Sequence, residues 1–247
     1  MTRQTRRRLT FAFTGALIGV TSPLWGPLVL RGIPAFHVKT IEVSGTRFAS
    51  DSDLREMSGI TSLASIWDDP GNWEASIVEH PLIEEARVVR AGLDRLRIEV
   101  REVRPVALVP VPGLVAVDGD GYQLDVDPAA HGLDLPILRS ATIDSETGRI
   151  REEEARRSLA VLEEIDLLAP EFVERVSEVL PVDSEAFDLK LMEGSLVQSL
   201  TLPFRDASRA FLQAAAAIQA AEDRGTIESA DARYAEKVFV RTGGERR

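Results

Sequence analysis

The stretch His80-Pro81-Leu82-Ile83-Glu84-Glu85-Ala86-Arg87-Val88-Val89-Arg90-Ala91-Gly92-Leu93-Asp94-Arg95-Leu96-Arg97-Ile98-Glu99-Val100-Arg101-Glu102 decides how the first globular part of this chain folds. Residues 86–90 and 95–101 alternate apolar and charged side chains, the period of a strand with one face buried. Ala91-Gly92-Leu93-Asp94 between them reads as a turn, so the two runs predict an antiparallel hairpin. Leu96, Ile98 and Val100 then share one face and point into a core.

Upstream of the hairpin, Val38, Ile41 and Val43 predict another strand, which stops at Ser44-Gly45. Ser50 with Asp53 three residues on resembles a capping box, and Leu54, Met57 and Ile60 give the helix it opens an apolar face, with Gly59 as its stop. Asp69-Pro70-Gly71-Asn72 is a turn and second cap before Trp73, Ile77 and Val78 at helical spacing, and Pro81 ends that helix. The order over residues 36–104 is therefore β, α, α, β, β.

Residues 9–30 carry no charge, follow Arg6-Arg7-Arg8 and are closed by Arg31. Twenty-two residues of helix at about 1.5 Å each cover the hydrocarbon core of a bilayer, so the run predicts a transmembrane helix. The arginines before it place residues 1–8 in the cytoplasm and the rest of the chain outside. Two other readings stand beside this one. Phe11–Val20 could serve as the apolar middle of a cleavable signal, although no Ala-x-Ala-like site follows, and Thr5-Arg6-Arg7-Arg8-Leu9 is similar to a twin-arginine export signal. Pro23 and Pro27 should kink or fray the outer half of the helix.

The chain has 247 residues, of which 44% are hydrophobic, enough for one or two cored domains. Its net charge of −11 is uneven, since 24 of the 29 basic residues and all 40 acidic ones follow Arg31 or lie beyond it in sequence. So acidic an outer portion repels phosphate backbones and argues against nucleic acid as a partner. The absence of cysteine removes disulfides, zinc–thiolate sites and thiol nucleophiles. His37, His80 and His131 are isolated, and no metalloprotease, nucleophile-elbow, P-loop or dinucleotide fingerprint is present. Asp118, Asp120, Asp125 and Asp127 do not follow the spacing of a calcium loop, and no glutamate closes it. Catalysis, a bound metal and a cofactor are therefore not expected.

Beyond residue 104, Val106–Val111 and Leu114–Val117 predict a hairpin around Pro112-Gly113, with Asp118-Gly119-Asp120-Gly121 as the next turn. Residues 150–169 predict a helix with Leu159, Leu162, Leu167 and Ala169 toward a core and Glu152/Arg156 and Glu153/Arg157 paired one turn apart. Val176–Val182, Phe187–Met192 and Leu196–Leu202 read as antiparallel strands. A second helix over Phe204–Ala221 carries Phe211, Ala214, Ala215, Ile218 and Ala221 on one face.

Several of these segments, taken in order, resemble the FtsQ/DivIB cell-division family. Pro81-Leu82 followed by Ala86-Arg87-Val88-Val89-Arg90 is similar to that family's Pro-hydrophobic…Ala-x-Val-x-Arg segment, and Leu96-Arg97-Ile98-Glu99-Val100-Arg101-Glu102 to its Leu-x-Ile-x-Val-x-Glu strand. Glu102-Val103-Arg104-Pro105-Val106-Ala107 resembles Glu-Arg-x-Pro-Val-Ala with one residue inserted or exchanged. Leu135-Pro136-Ile137-Leu138 continues the likeness, though Arg139-Ser140 stands where the family usually has glycine. Asp231-Ala232-Arg233-Tyr234 resembles its Asp-x-Arg-Tyr strand.

The resemblance implies an α+β chain: a cytoplasmic tail (1–8), a transmembrane helix (9–30), a POTRA domain (36–104), an antiparallel β-sheet domain with flanking helices (105–241) and a short tail (242–247). It implies a non-catalytic bitopic scaffold in the inner membrane at the division septum, linking division proteins and regulating septal wall synthesis through contacts. Its partners would be FtsB/DivIC-type and FtsL-type proteins, with no small-molecule substrate. Asp231, Arg233, Tyr234, Ala235, Glu236, Lys237, Val238, Phe239 and Val240 would hold a partner by strand addition, because an edge strand offers unpaired N–H and C=O groups to an incoming segment. POTRA modules also occur in envelope chaperones and secretion or assembly factors, which is the alternative reading.

Overall fold

The computed structural model describes residues 26–192, 194–221, 227–234 and 237–243. Most of the expected transmembrane run, residues 9–25, lies outside the described residues; residues 26–31 are helical. No helix among the described residues is long and apolar enough to cross a membrane. The rest forms two compact units, which divide after Glu102.

In the first unit, strand β1 (Thr40–Ser44) is followed by helices α1 (Asp51–Met57) and α2 (Gly71–Val78), then by β2 (Ile83–Arg90) and β3 (Arg95–Glu102). The observed sheet order is β1-β3-β2, with β1 parallel and β2 antiparallel to the central β3. Central placement explains the alternation that marked this strand: Leu96 and Ile98 are buried under the helices with Leu54 and Ile77, while Arg95, Arg97 and Glu99 face water. Gly45 ends β1 at φ +93°, and a Cβ there would lie 2.1 Å from the Val100 carbonyl oxygen, so only glycine fits.

The inward alternation of β3 continues to a carboxylate. Glu102, only 9% exposed, accepts the Ala49 N–H at 2.8 Å and the Phe48 N–H at 3.0 and 3.1 Å. This corrects the capping-box expectation: Ser50 occupies the cap position of α1 but makes no side-chain cap bond, its Oγ lying 2.6 Å from Ser52 Oγ. Short local spacing suggested a local cap; the structure instead ties the segment before α1 to a residue more than fifty positions away.

The second unit holds β4 (Ala107–Pro110), β5 (Leu114–Val117), β6 (Ile137–Leu138), α3 (Glu153–Leu168), the short α4 (Pro170–Val173), β7 (Val176–Pro181), β8 (Ala186–Leu191), β9 (Val197–Pro203), α5 (Ala207–Ala221), β10 (Ile227–Tyr234) and β11 (Lys237–Thr242). One eight-stranded sheet runs β11-β10-β9-β8-β7-β6-β4-β5. The expectation of an antiparallel sheet is corrected here. β7, β8 and β9 are antiparallel, but β4/β6, β6/β7 and β9/β10 are parallel pairs, so the sheet is mixed. The physical reason is connection length: a tight turn reverses the chain, whereas the crossover through α5 brings β10 back in the direction of β9.

The main core lies between this sheet and α3 with α5, which contact each other. Leu159, Leu162, Ile165, Phe187, Leu189, Leu200 and Ala214 are fully buried within it. Phe172 and Phe211 meet edge to face at 4.9 Å. Leu167 departs from expectation, being 81% exposed while Ile165 takes the core position. The buried stripe runs through 155, 158, 159, 162 and 165, and Leu167, five residues beyond Leu162, lies about 140° round the helix from it. Ala215 likewise faces outward.

The expected pairs one turn apart on α3 do not form. Glu152 accepts the Thr142 N–H and hydroxyl at 2.8 Å each, Arg156 donates to the Ile150 and Arg151 carbonyls, and Arg157 donates to the Ser184 carbonyl while lying 4.5 Å over the Phe204 ring. Local carbonyls for Arg156, and partners farther along the chain for Glu152 and Arg157, displace exposed pairs that are worth only a few tenths of a kcal/mol.

Candidate functional site

The sheet ends at β11. Crossover through α5 places Ile227, Ala230 and Ala232 of β10 in the core, and β11 then pairs antiparallel to β10 with Ala230 opposite Val240, Asp231 opposite Phe239 and Tyr234 opposite Lys237. No strand pairs with the other side of β11 among the described residues. Val238 and Val240 are half-buried against the core, and Lys237, Phe239, Arg241 and Thr242 face solvent. Phe239 is 57% exposed and Tyr234 52%, with their rings in edge-to-face contact at 5.2 Å. The pair is held in water beside the open strand edge and takes no part in the core. Ala235 and Glu236 lie outside the described residues.

Asp231 and Arg233, two residues apart on β10, form a fork: Arg233 Nε lies 3.0 and 3.1 Å from the two carboxylate oxygens and Nη2 2.7 Å from Oδ2. These bonds hold the Asp231 carboxyl below its ordinary range and raise the guanidinium above its own. The pair therefore stays ionised and fixes Arg233 in one orientation.

Arg233 also borders a cleft of about 510 Å³ lined by Arg157, Phe204, Arg205 and Arg209, with Glu185 and Asp206. Sequence reasoning missed this concentration of arginines on an acidic unit. Arg205 and Arg209 at a spacing of four were a readable signal, but Arg157 had been assigned to Glu153, and nothing local brings Arg233 to them.

Two of the four aspartates weighed for calcium close turns instead. Asp118 accepts the Tyr122 N–H at 2.7 Å and Asp127 the Ala129 N–H at 2.9 Å, both closing turns. Glu163 of α3 lies against Gly119, so closely that a Cβ there would overlap its carboxylate. Burial, then the charges of Asp118 and Asp120, push the Glu163 carboxyl up, and burial does the same to Asp118.

The first unit with its β-α-α-β-β order, followed by a mixed sheet that ends in an open strand, defines a POTRA-bearing protein with a β-domain. Residues 36–102 match the family model described as POTRA domain, FtsQ-type. Proteins named Cell division protein FtsQ are similar to most of the chain: that of Myxococcus fulvus is 29% identical over 175 residues, 67% of this chain and 61% of its own length. That of Rhodothermus marinus is 31% identical over 62% of this chain and 56% of its own, and that of Caulobacter vibrioides 25% over 76% and 60%. The chain thus carries an FtsQ-type POTRA domain and is similar to FtsQ proteins over most of its length, and these matches span about three fifths of the relatives' length.

Proposed function

We propose that this protein is a membrane-anchored component of the bacterial division machinery that acts by contact, linking division proteins and regulating septal wall synthesis, and that it captures a partner segment of FtsB/DivIC type on β11. One observation carries the reading: β11 closes an eight-stranded sheet, among the described residues no strand pairs with its outer edge, and the exposed Tyr234–Phe239 pair stands beside it. An added strand would gain backbone hydrogen bonds along that edge, while the aromatic pair would select its side chains. The relatives' printed role in cell division supports the cellular setting. The uncharged run over residues 9–30 supports the anchor, and FtsL-type proteins would join through the captured partner.

The test is co-purification of the full-length chain with its FtsB/DivIC-type partner, comparing wild type with Phe239→Asp. Phe239 is mostly in water, so the fold survives the change, and loss of an aromatic anchor should weaken capture by about thirtyfold or more. Undiminished capture by a folded variant would remove β11 from the site. Tagged protein should form a band at mid-cell, and depletion should give filaments; uniform membrane signal with normal division would favour an envelope chaperone.

A further inference from the structure

The first unit has one end at which the chain arrives from residue 31, and most of the unit's exposed large apolar side chains among the described residues lie on or next to it. Parallel pairing sets it: Thr40 at the start of β1 lies opposite Arg95 at the start of β3, so the Ala91–Asp94 turn sits where the chain enters. The segment before α2 is fastened there too. Val38 N–H donates to the Ala64 carbonyl at 2.9 Å, Ile66 N–H to the Phe36 carbonyl at 2.9 Å, and Arg31 Nε to the Trp67 carbonyl at 3.0 Å. Two leucines project from this end, Leu63 at 82% and Leu93 at 72% exposure. Among the described residues of the unit, every other large apolar side chain in water except Val78 belongs to residues 28–33, on the same approach.

Charges at this end nearly balance. Arg31 meets Asp68 at 3.2 Å and Lys39 meets Asp94 at 3.0 Å, while Arg90 lies 4.2 Å over the Trp67 ring and Asp69 accepts the Gly71 N–H at 3.1 Å, which leaves little net charge to keep the leucines away from an apolar phase. The reach is short as well: three residues separate Leu63 from Trp67, so Leu63 lies within about 20 Å of Arg31, itself next to the last residue of the uncharged run.

We propose that this end of the POTRA unit rests on the lipid surface, with Leu63 and Leu93 in the interfacial layer of the bilayer. The inference rests on the reading of residues 9–30 as a membrane anchor. The anchor holds the unit at high local concentration against the bilayer, so two exposed leucines suffice to set its orientation where they would not bind a free domain. The POTRA unit is then held at a fixed height and facing.

The absence of cysteine makes the test clean. Full-length protein carrying Leu63→Cys, Leu93→Cys, Ser52→Cys or Val78→Cys, each labelled with an environment-sensitive fluorophore, is reconstituted into vesicles of phosphatidylethanolamine and phosphatidylglycerol. Ser52 follows β1 and Val78 closes α2, at the opposite end of the unit. Labels at 63 and 93 should emit at shorter wavelength and be quenched by spin-labelled lipid, while those at 52 and 78 should do neither. If all four labels report water on protein that resists alkaline extraction, the inference is overturned and the anchor stands. Release of the protein by alkaline carbonate would refute the anchor and carry the inference with it. No partner protein is present, so a shift at 63 and 93 identifies lipid as what covers them.

Discussion

Replacing Glu102 by glutamine tests whether one buried carboxylate organises the POTRA unit. The side chain sits at the end of the central strand and receives three N–H contacts from Phe48 and Ala49 at 2.8 to 3.1 Å. Glutamine keeps the shape but has a single oxygen. Turned so that this oxygen meets Ala49, it aims its amide N–H₂ at the Phe48 N–H, donor against donor. Hydrogen bonds to a charged acceptor contribute about 1.5–3 kcal/mol net, against roughly 1 for neutral ones, so Glu102→Gln should destabilise the unit by about 2 kcal/mol. Glu102→Ala, which removes every acceptor, should cost about 3–4 kcal/mol. With two compact units a single melting curve mixes events, so the readout is native-state amide exchange. The Phe48 and Ala49 amides should lose protection first, followed by residues of α1. If Glu102→Gln left those amides as protected as in wild type, the carboxylate would not be what positions the segment before α1.

Gly45→Ala combines a left-handed φ with a Cβ driven into the Val100 carbonyl, and should destabilise the first unit by about 3 kcal/mol, read by urea unfolding of its exchange-protected core. Ser140 is exposed and sits at φ +56°, where glycine is at ease, so Ser140→Gly should stabilise the second unit by about 0.5–1 kcal/mol in thermal unfolding. Glu163 has its carboxyl pushed up in the folded state, which then binds more protons than the unfolded chain between the ordinary and the raised value; stability from this group is full below about pH 4 and lost as pH rises. Glu163→Gln should therefore stabilise the second unit at neutral pH, with the gain vanishing toward pH 4; a pH-independent effect would refute the charge argument.

Much of the first unit could be read from the sequence because its signals are local. The alternation of Leu96, Ile98 and Val100 against charged neighbours, the Gly45 stop and the Pro70-Gly71 helix start each act within a few residues. Ser140 shows the same logic by exception: its backbone is left-handed, where glycine is at ease, and serine tolerates the strain in an exposed loop. What escaped was non-local. Glu102 in place of Ser50 as the acceptor, Arg157 on Phe204 rather than beside Glu153, and the parallel pairing of β9 with β10 each depend on segments distant in the chain. In the candidate site, the alternation of Val238, Phe239 and Val240 gave the strand and its two faces, whereas the convergence of Arg157, Arg205, Arg209 and Arg233 on one cleft required the tertiary structure.

The parallel pairing of β9 with β10 bears on when the open edge comes into being. Residues 204–226 must close as a loop before β10 can find its neighbour, whereas β7 and β8 are separated only by residues 182–185. By loop-closure entropy the longer connection costs roughly 1.5 kcal/mol more, so the hairpin of β10 and β11 should dock late, after α5 has settled on the sheet. A chain whose interior is still unformed would then have no edge to offer. Timing of this kind would keep half-folded molecules from presenting an unpaired edge to other chains.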